Sequence, residues 1–129
     1  MKASDLVTVW SAPDTSRLTA KQYSFRLPVH VAAKLAALED LYPTRSRTQL
    51  VGDLLAAAIA EVENKLPTPA GEPWGTDPDT GKMMYHATGP RIKFRKLANQ
   101  HHAEIERDMG NESPEALYPN NLIVDENGE

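Results

Sequence analysis

The sequence predicts a mainly α protein with one short β-strand per chain, and a second copy of the chain is expected to supply the partner of that strand. Three observations support this fold class. Apolar and polar residues alternate with a period of two over 22–27, two helical patterns follow at once, and no other segment offers a partner strand of comparable quality. Because a lone strand leaves its backbone groups unpaired, two chains would form an intermolecular two-stranded antiparallel ribbon covered by four helices.

The predicted strand has two chemically different faces. Its apolar face should turn toward the helices, and the side chains on it are Tyr23, Phe25 and Leu27. Its polar face should remain exposed, and the side chains on it are Gln22, Ser24 and Arg26. Pro28 ends the strand, because proline has no N–H for a ladder but is tolerated in the first turn of a helix. The plainer alternative is an edge strand of a mixed fold whose polar side chains are only solvated.

Two amphipathic helices are predicted after the strand. The first ends before Pro43, and the second opens with Ser46 and Gln49 at the spacing of a capping box. The apolar stripe of the second helix ends before Pro67. These helices should complete the core of the dimer, to which they contribute Leu35, Leu38, Leu50, Leu54 and Ile59.

The rest of the chain is predicted to flank this domain. Residues 1–20 have the composition of a flexible arm, residues 21–66 hold the strand and the two helices, and residues 67–129 form an extension. The extension begins with a Pro-rich linker, and a hairpin is expected across the Asp-Pro-Asp-Thr-Gly turn at 77–81. A third helix is predicted over about 90–109, followed by an acidic tail.

Composition narrows the classes of function. The 129 residues include no cysteine, and the four histidines show no ligand spacing, so neither a metal nor another cofactor is expected. The chain has no Gly-rich phosphate loop, no Cys nucleophile and no setting for paired carboxylates, so an enzyme is not expected. A signal peptide and a membrane-length apolar run are also missing, which predicts a cytoplasmic protein without a membrane partner.

The polar face of the predicted strand suits the recognition of DNA bases. Arginine can donate two hydrogen bonds to guanine and glutamine can pair with adenine, and a two-stranded ribbon fits a major groove about 12 Å wide. Although the net charge is −4, residues 1–66 hold eight Lys/Arg against seven Asp/Glu, so the acidic excess lies in 67–129. The start of the second helix adds groups that suit phosphates, and they belong to Arg45, Ser46, Arg47 and Thr48.

The order of strand, proline, helix, turn and capped helix over residues 21–66 resembles the ribbon-helix-helix repressors of the Arc and methionine-repressor type. The resemblance rests on Gln22-Tyr23-Ser24-Phe25-Arg26-Leu27-Pro28 and on Arg45-Ser46-Arg47-Thr48-Gln49-Leu50. It implies a homodimer, base contacts from the polar strand face and phosphate contacts at the start of the second helix.

Three functions remain open from the sequence. The first is a transcriptional regulator, expected to be a repressor, that binds a double-stranded DNA operator as a homodimer or as paired dimers. The second is an antitoxin that binds a cognate toxin through residues 67–129, and the third is a protein-interaction scaffold that does not bind DNA. A basic run in the third helix either contacts phosphate as well or pairs with the acidic tail or a partner protein, and its residues are Arg91, Lys93, Arg95 and Lys96.

Overall fold

A computed structural model describes residues 3–10, 17–119 and 121–129. The chain divides into two compact units, Met1–Val62 and Glu63–Glu129, and the division falls near the end of one continuous helix. No helix in the described residues is both long enough and apolar enough to span a lipid bilayer.

The predicted fold class is wrong. Instead of a mainly α ribbon-helix-helix chain with one short strand, the described residues contain three long helices and a three-stranded antiparallel sheet. The sheet lies in the C-terminal unit, whereas residues 22–28 run without a helix, turn or bend and pair with no strand in the described part of the chain. The physical reason is that the two strands of a hairpin are neighbours in sequence and can form backbone hydrogen bonds with each other. Residues 22–28 have no such neighbouring strand among the described residues.

The N-terminal unit is built from helices. A short 3-10 helix at Ala3–Asp5 leads into α1 (Leu6–Val9), and α2 (Val29–Leu41) and α3 (Arg47–Lys65) follow. The predicted capping box at the start of α3 is confirmed, since the Gln49 N–H donates to Ser46 Oγ at 3.2 Å and the Ser46 N–H donates to Gln49 Oε1 at 2.9 Å. The two helices predicted after residue 28 are therefore both present.

A small core holds the N-terminal unit together, and its buried side chains are Leu6, Trp10, Leu35, Leu50 and Ala57. Trp10 closes one side of it: the indole N–H donates to Asp53 Oδ2 at 2.8 Å, and the ring meets that of Tyr42 edge-on with centroids 5.1 Å apart. The flexible arm predicted over 1–20 therefore does not describe residues 3–10, because these partners are distant in sequence and local composition does not reveal them. Residues 11–16 of that arm lie outside the described residues.

The C-terminal unit combines the sheet with one long helix. β1 (Ala70–Thr76) and β2 (Met83–Ala87) form an antiparallel hairpin, α4 (Pro90–Asp108) follows, and β3 (Ile123–Val124) pairs with β2. The Gly81 N–H closes the hairpin turn by donating to the Asp77 carbonyl at 2.8 Å, and Gly81 has a φ of +71°, which favours glycine. The predicted hairpin and third helix are thus confirmed, whereas a strand in the acidic tail was not predicted.

Candidate nucleic-acid interface

Residues 22–28, which we call the unpaired segment, lie beside the helices of the N-terminal unit. Within the described part of the chain, no backbone N–H or C=O group of residues 22–27 has a hydrogen-bond partner. The rings of Tyr23 and Phe25 lie parallel, with 5° between their planes and 6.5 Å between their centroids. Two residues that are two positions apart therefore share a side, which is the alternation that the sequence predicted.

The apolar side of the unpaired segment is exposed to solvent. Phe25 is 72% exposed, Tyr23 53% and Leu27 46%, all high values for large apolar side chains. These side chains line a groove of about 820 Å³ whose apolar wall comes from α2 and α3 through Ala32, Leu35, Ala36, Val51, Gly52 and Leu55. The N-terminal unit thus presents a continuous apolar surface that the described residues leave uncovered.

The predicted base-reading residues are all exposed. Gln22, Ser24 and Arg26 form no hydrogen bond or ion pair with another described residue, so their polar atoms are available to a ligand. Gln22 also lines the apolar groove, whereas Ser24 and Arg26 do not. The structure therefore places two of the three side chains away from the groove and one at its edge.

The start of α3 retains the groups that suit a phosphate. The Ser46 hydroxyl is engaged in the capping box, which leaves the N–H groups of Arg47 and Thr48 without an acceptor among the described residues. The helix macrodipole adds partial positive charge at this end. Ser46, Arg47 and Thr48 are all exposed, so an anion can approach them.

The Arg47 side chain already has an anionic partner. Its Nε lies 2.6 Å from Glu39 Oε1 and its Nη2 lies 3.3 Å from Glu39 Oε2, which is a two-pronged contact with a carboxylate. The hydrogen bond from Arg47 lowers the pKa of Glu39, and the hydrogen bond to Glu39 raises the pKa of Arg47. Glu39 was not identified from the sequence, because the helix–helix packing that brings it to the start of α3 has no local signal.

Arg45 differs from the other predicted phosphate ligands. The residue is only 6% exposed, and its Nε donates to the Trp10 carbonyl at 3.4 Å. In this arrangement its guanidinium faces the protein and connects the turn before α3 to the residue that follows α1.

The predicted core residues of a dimer fall into two groups. Leu35 and Leu50 are buried within one chain, and Leu38 and Leu54 pack partly buried against the same core. Ile59 is 49% exposed, and the apolar residues of the unpaired segment are between 46% and 72% exposed. A single chain therefore covers part of the predicted core and leaves the rest at the surface.

Two arginines of the basic run in α4 make contacts within the C-terminal unit. Arg91 donates from Nε to the Glu63 carbonyl at 3.0 Å and from Nη2 to the Asn64 carbonyl at 2.7 Å, which caps the last turn of α3. Arg95 Nε lies 3.0 Å from Glu63 Oε1, and its guanidinium lies 4.8 Å from the centroid of the Tyr118 ring. Within the run, this leaves the exposed Lys93 and Lys96 for an external anion.

Tyr118 completes this polar network. Its hydroxyl donates to Glu63 Oε2 at 2.8 Å, while its backbone N–H donates to Asn99 Oδ1 at 2.8 Å and its carbonyl accepts from Asn99 Nδ2 at 3.1 Å. Burial raises the pKa of Tyr118, and the hydrogen bond to Glu63 raises it further. The network attaches the tail to α4, a role that the sequence did not indicate for Glu63 or Tyr118.

Other kinds of site are not evident in the described residues. No three His, Asp or Glu side chains of that part of the chain lie together in a way that would hold a metal ion. No family model, curated protein or solved structure matches the chain.

Proposed function

We propose that this chain is a sequence-specific DNA-binding regulator of transcription, acting as a repressor, and that it binds its operator as a homodimer. The observation that carries the proposal is the unpaired segment, which combines exposed apolar rings and exposed Gln22, Ser24 and Arg26 with backbone groups that have no hydrogen-bond partner among the described residues. In this role the protein would act in the cytoplasm.

The dimer follows from two needs of the N-terminal unit that one chain does not meet. The backbone groups of residues 22–27 have no hydrogen-bond partner among the described residues, and two antiparallel copies of this segment would pair with one another. The same pairing brings Phe25 and Tyr23 of each copy over the apolar groove, where about 1.5–3 kcal/mol is gained for each large apolar side chain that becomes fully buried. A second copy of this chain therefore fits both the hydrogen bonding and the shape of the surface.

DNA recognition follows from the face that the dimer leaves outside. Two copies would present six polar side chains, and alternate residues on a strand lie about 6.7 Å apart, close to two base-pair rises of about 3.4 Å. Arg26 suits guanine, Gln22 suits adenine, and Ser24 can donate or accept. The first amides of α3, with Arg47 and Thr48, would hold phosphates on either side of the bases.

The antitoxin alternative receives less support. It expects residues 67–129 to fold upon a toxin, but in this chain those residues form their own sheet, and Thr68 Oγ1 donates to the Gly128 carbonyl at 2.7 Å. The scaffold alternative shares the dimer and differs only in lacking DNA binding, so a binding measurement separates it from the proposal.

The test is a selection of bound sequences from a random duplex pool, followed by titration of the selected duplex with variants. Arg26→Ala should weaken binding to that duplex by about 1–3 kcal/mol for each contacted base and should leave binding to unrelated duplexes nearly unchanged. Lys34→Ala is the matched control, because it removes an exposed positive charge from α2 without touching the unpaired segment. Equal effects of the two substitutions, or no selected sequence, would contradict the proposal.

A further inference from the structure

The Arg47 side chain, which we propose to bind a DNA phosphate, is already paired with the carboxylate of Glu39. Glu39 extends from α2, and both of its carboxylate oxygens lie within hydrogen-bond distance of the Arg47 guanidinium. A carboxylate in this position offers Arg47 the same planar, two-oxygen acceptor that a phosphate offers. The Arg47 side chain is 74% exposed, so an anion from solvent can reach it.

We infer that Glu39 is an intramolecular competitor for the DNA phosphate that Arg47 binds, and that it thereby weakens binding to DNA of every sequence. The inference rests on the proposed DNA-binding function. When DNA docks, the guanidinium exchanges the carboxylate for a phosphate oxygen, and Glu39 is left as a negative charge beside the backbone of the duplex. Both the lost pair and the new repulsion oppose binding.

The competition acts on affinity and leaves sequence preference unchanged, because phosphates are the same in every sequence. Removing the carboxylate charge should therefore tighten binding to an operator and to an unrelated duplex by similar factors. An exposed ion pair changes an equilibrium by about 1.5- to 5-fold, so with two sites in a dimer we expect a gain of about 2- to 25-fold. The gain should shrink as salt rises, since screening weakens interactions between exposed charges.

Glu39→Gln is the test variant, because glutamine keeps the size of the side chain and removes its charge. Asp40→Asn is the matched control: Asp40 is the next residue of α2, is exposed and forms no ion pair among the described residues, yet the change in net charge is the same. Glu39→Gln combined with Arg47→Ala tests the mechanism, since the gain requires the arginine. The affinities of wild type, each single variant and the double variant are measured by fluorescence anisotropy on a selected duplex and on an unrelated duplex at low and high salt.

We expect Glu39→Gln to tighten binding to both duplexes at low salt, Asp40→Asn to change it less than about twofold by screened charge alone, and the double variant to bind no better than Arg47→Ala. If Glu39→Gln matches Asp40→Asn, or binds more weakly than wild type, the competitor role is overturned while the proposed function stands. If the wild-type chain binds no duplex at low salt, the proposed function fails and this inference fails with it.

Discussion

Replacing Phe25 with alanine should shift the proposed dimer strongly toward single chains. Phe25 is 72% exposed in one chain, and it is the most exposed ring of the unpaired segment. Full burial of a phenylalanine side chain contributes about 1.5–3 kcal/mol, so burial of the exposed part contributes about 1–2 kcal/mol per copy and about 2–4 kcal/mol per dimer. Because 1.4 kcal/mol corresponds to a factor of ten, the dissociation constant of the dimer should rise by about 30- to 700-fold.

Sedimentation equilibrium over a wide range of concentrations measures this change directly. Leu117→Ala is the control, because Leu117 is 53% exposed and belongs to the C-terminal unit, whereas the unpaired segment belongs to the N-terminal unit. Circular dichroism at the same concentrations shows whether α2 and α3 remain helical, which separates loss of the dimer from loss of the fold. A Phe25→Ala chain that dimerises as tightly as Leu117→Ala would refute the assignment of the apolar groove to a second copy.

Three further outcomes are expected. Gly52→Leu should weaken the dimer in the same sedimentation assay, because the added side chain would occupy the groove that a second copy fills. Apart from the adjoining residues and backbone of α3, no atom of the described residues lies within 4 Å of a Cβ placed at Gly52, so unchanged dimerisation would argue against that occupant. Tyr118→Phe should lower the free energy of unfolding by about 1–3 kcal/mol in a denaturant titration, since the buried Glu63 carboxylate loses a hydrogen bond, and an unchanged midpoint would show that the bond contributes nothing. Arg47→Ala should lower the free energy of unfolding at neutral pH, because it removes the ion pair with Glu39. The pKa of Glu39 is lowered in the folded state, so the pair stabilises the fold above pH 4.5, the ordinary value for this carboxyl group, and its contribution is lost as the pH falls below 4.5 and through the lowered pKa. A difference between the two proteins that does not change with pH would contradict this.

The helices could be predicted because their ends are marked by local chemistry. Pro43 and Pro67 follow the ends of α2 and α3, Pro90 opens α4, and the hydroxyl and amide of the capping box satisfy each other within four residues. None of these signals needs a partner from another part of the chain. The hairpin turn at 77–81 was predictable for the same reason.

The sheet and several contacts of the candidate site could not be predicted in this way. β1 contains Gly71, Pro73 and Gly75, residues that disfavour a strand, and its register with β2 is broken by irregularities on both sides of Pro73. β3 has only two residues, and it pairs with β2 because the tail runs back beside that strand. Tertiary pairing therefore outweighed local preference, and the fold class predicted from one clear strand was wrong.

The charged residues of the candidate site show the same limit. The exposure of Arg26 was predictable from a period-two pattern, but the burial of Arg45 near Trp10 and the pairing of Arg47 with Glu39 depend on contacts between separate elements. Their common position at the start of the second helix led both arginines to be predicted as phosphate ligands. The structure distinguishes them, since Arg45 is 6% exposed whereas the Arg47 side chain is 74% exposed.

The most direct test of DNA binding by a dimer is a titration of the wild-type chain onto a labelled duplex from its own promoter, with sedimentation to count the chains bound to each duplex. We expect retardation of the duplex at low salt with an even number of chains, two for each site, and loss of that complex when Arg26 and Phe25 are both replaced by alanine. Binding of a single chain to each duplex would contradict DNA recognition by a dimer. The absence of retardation at every protein concentration at which the chain stays in solution would contradict DNA binding itself.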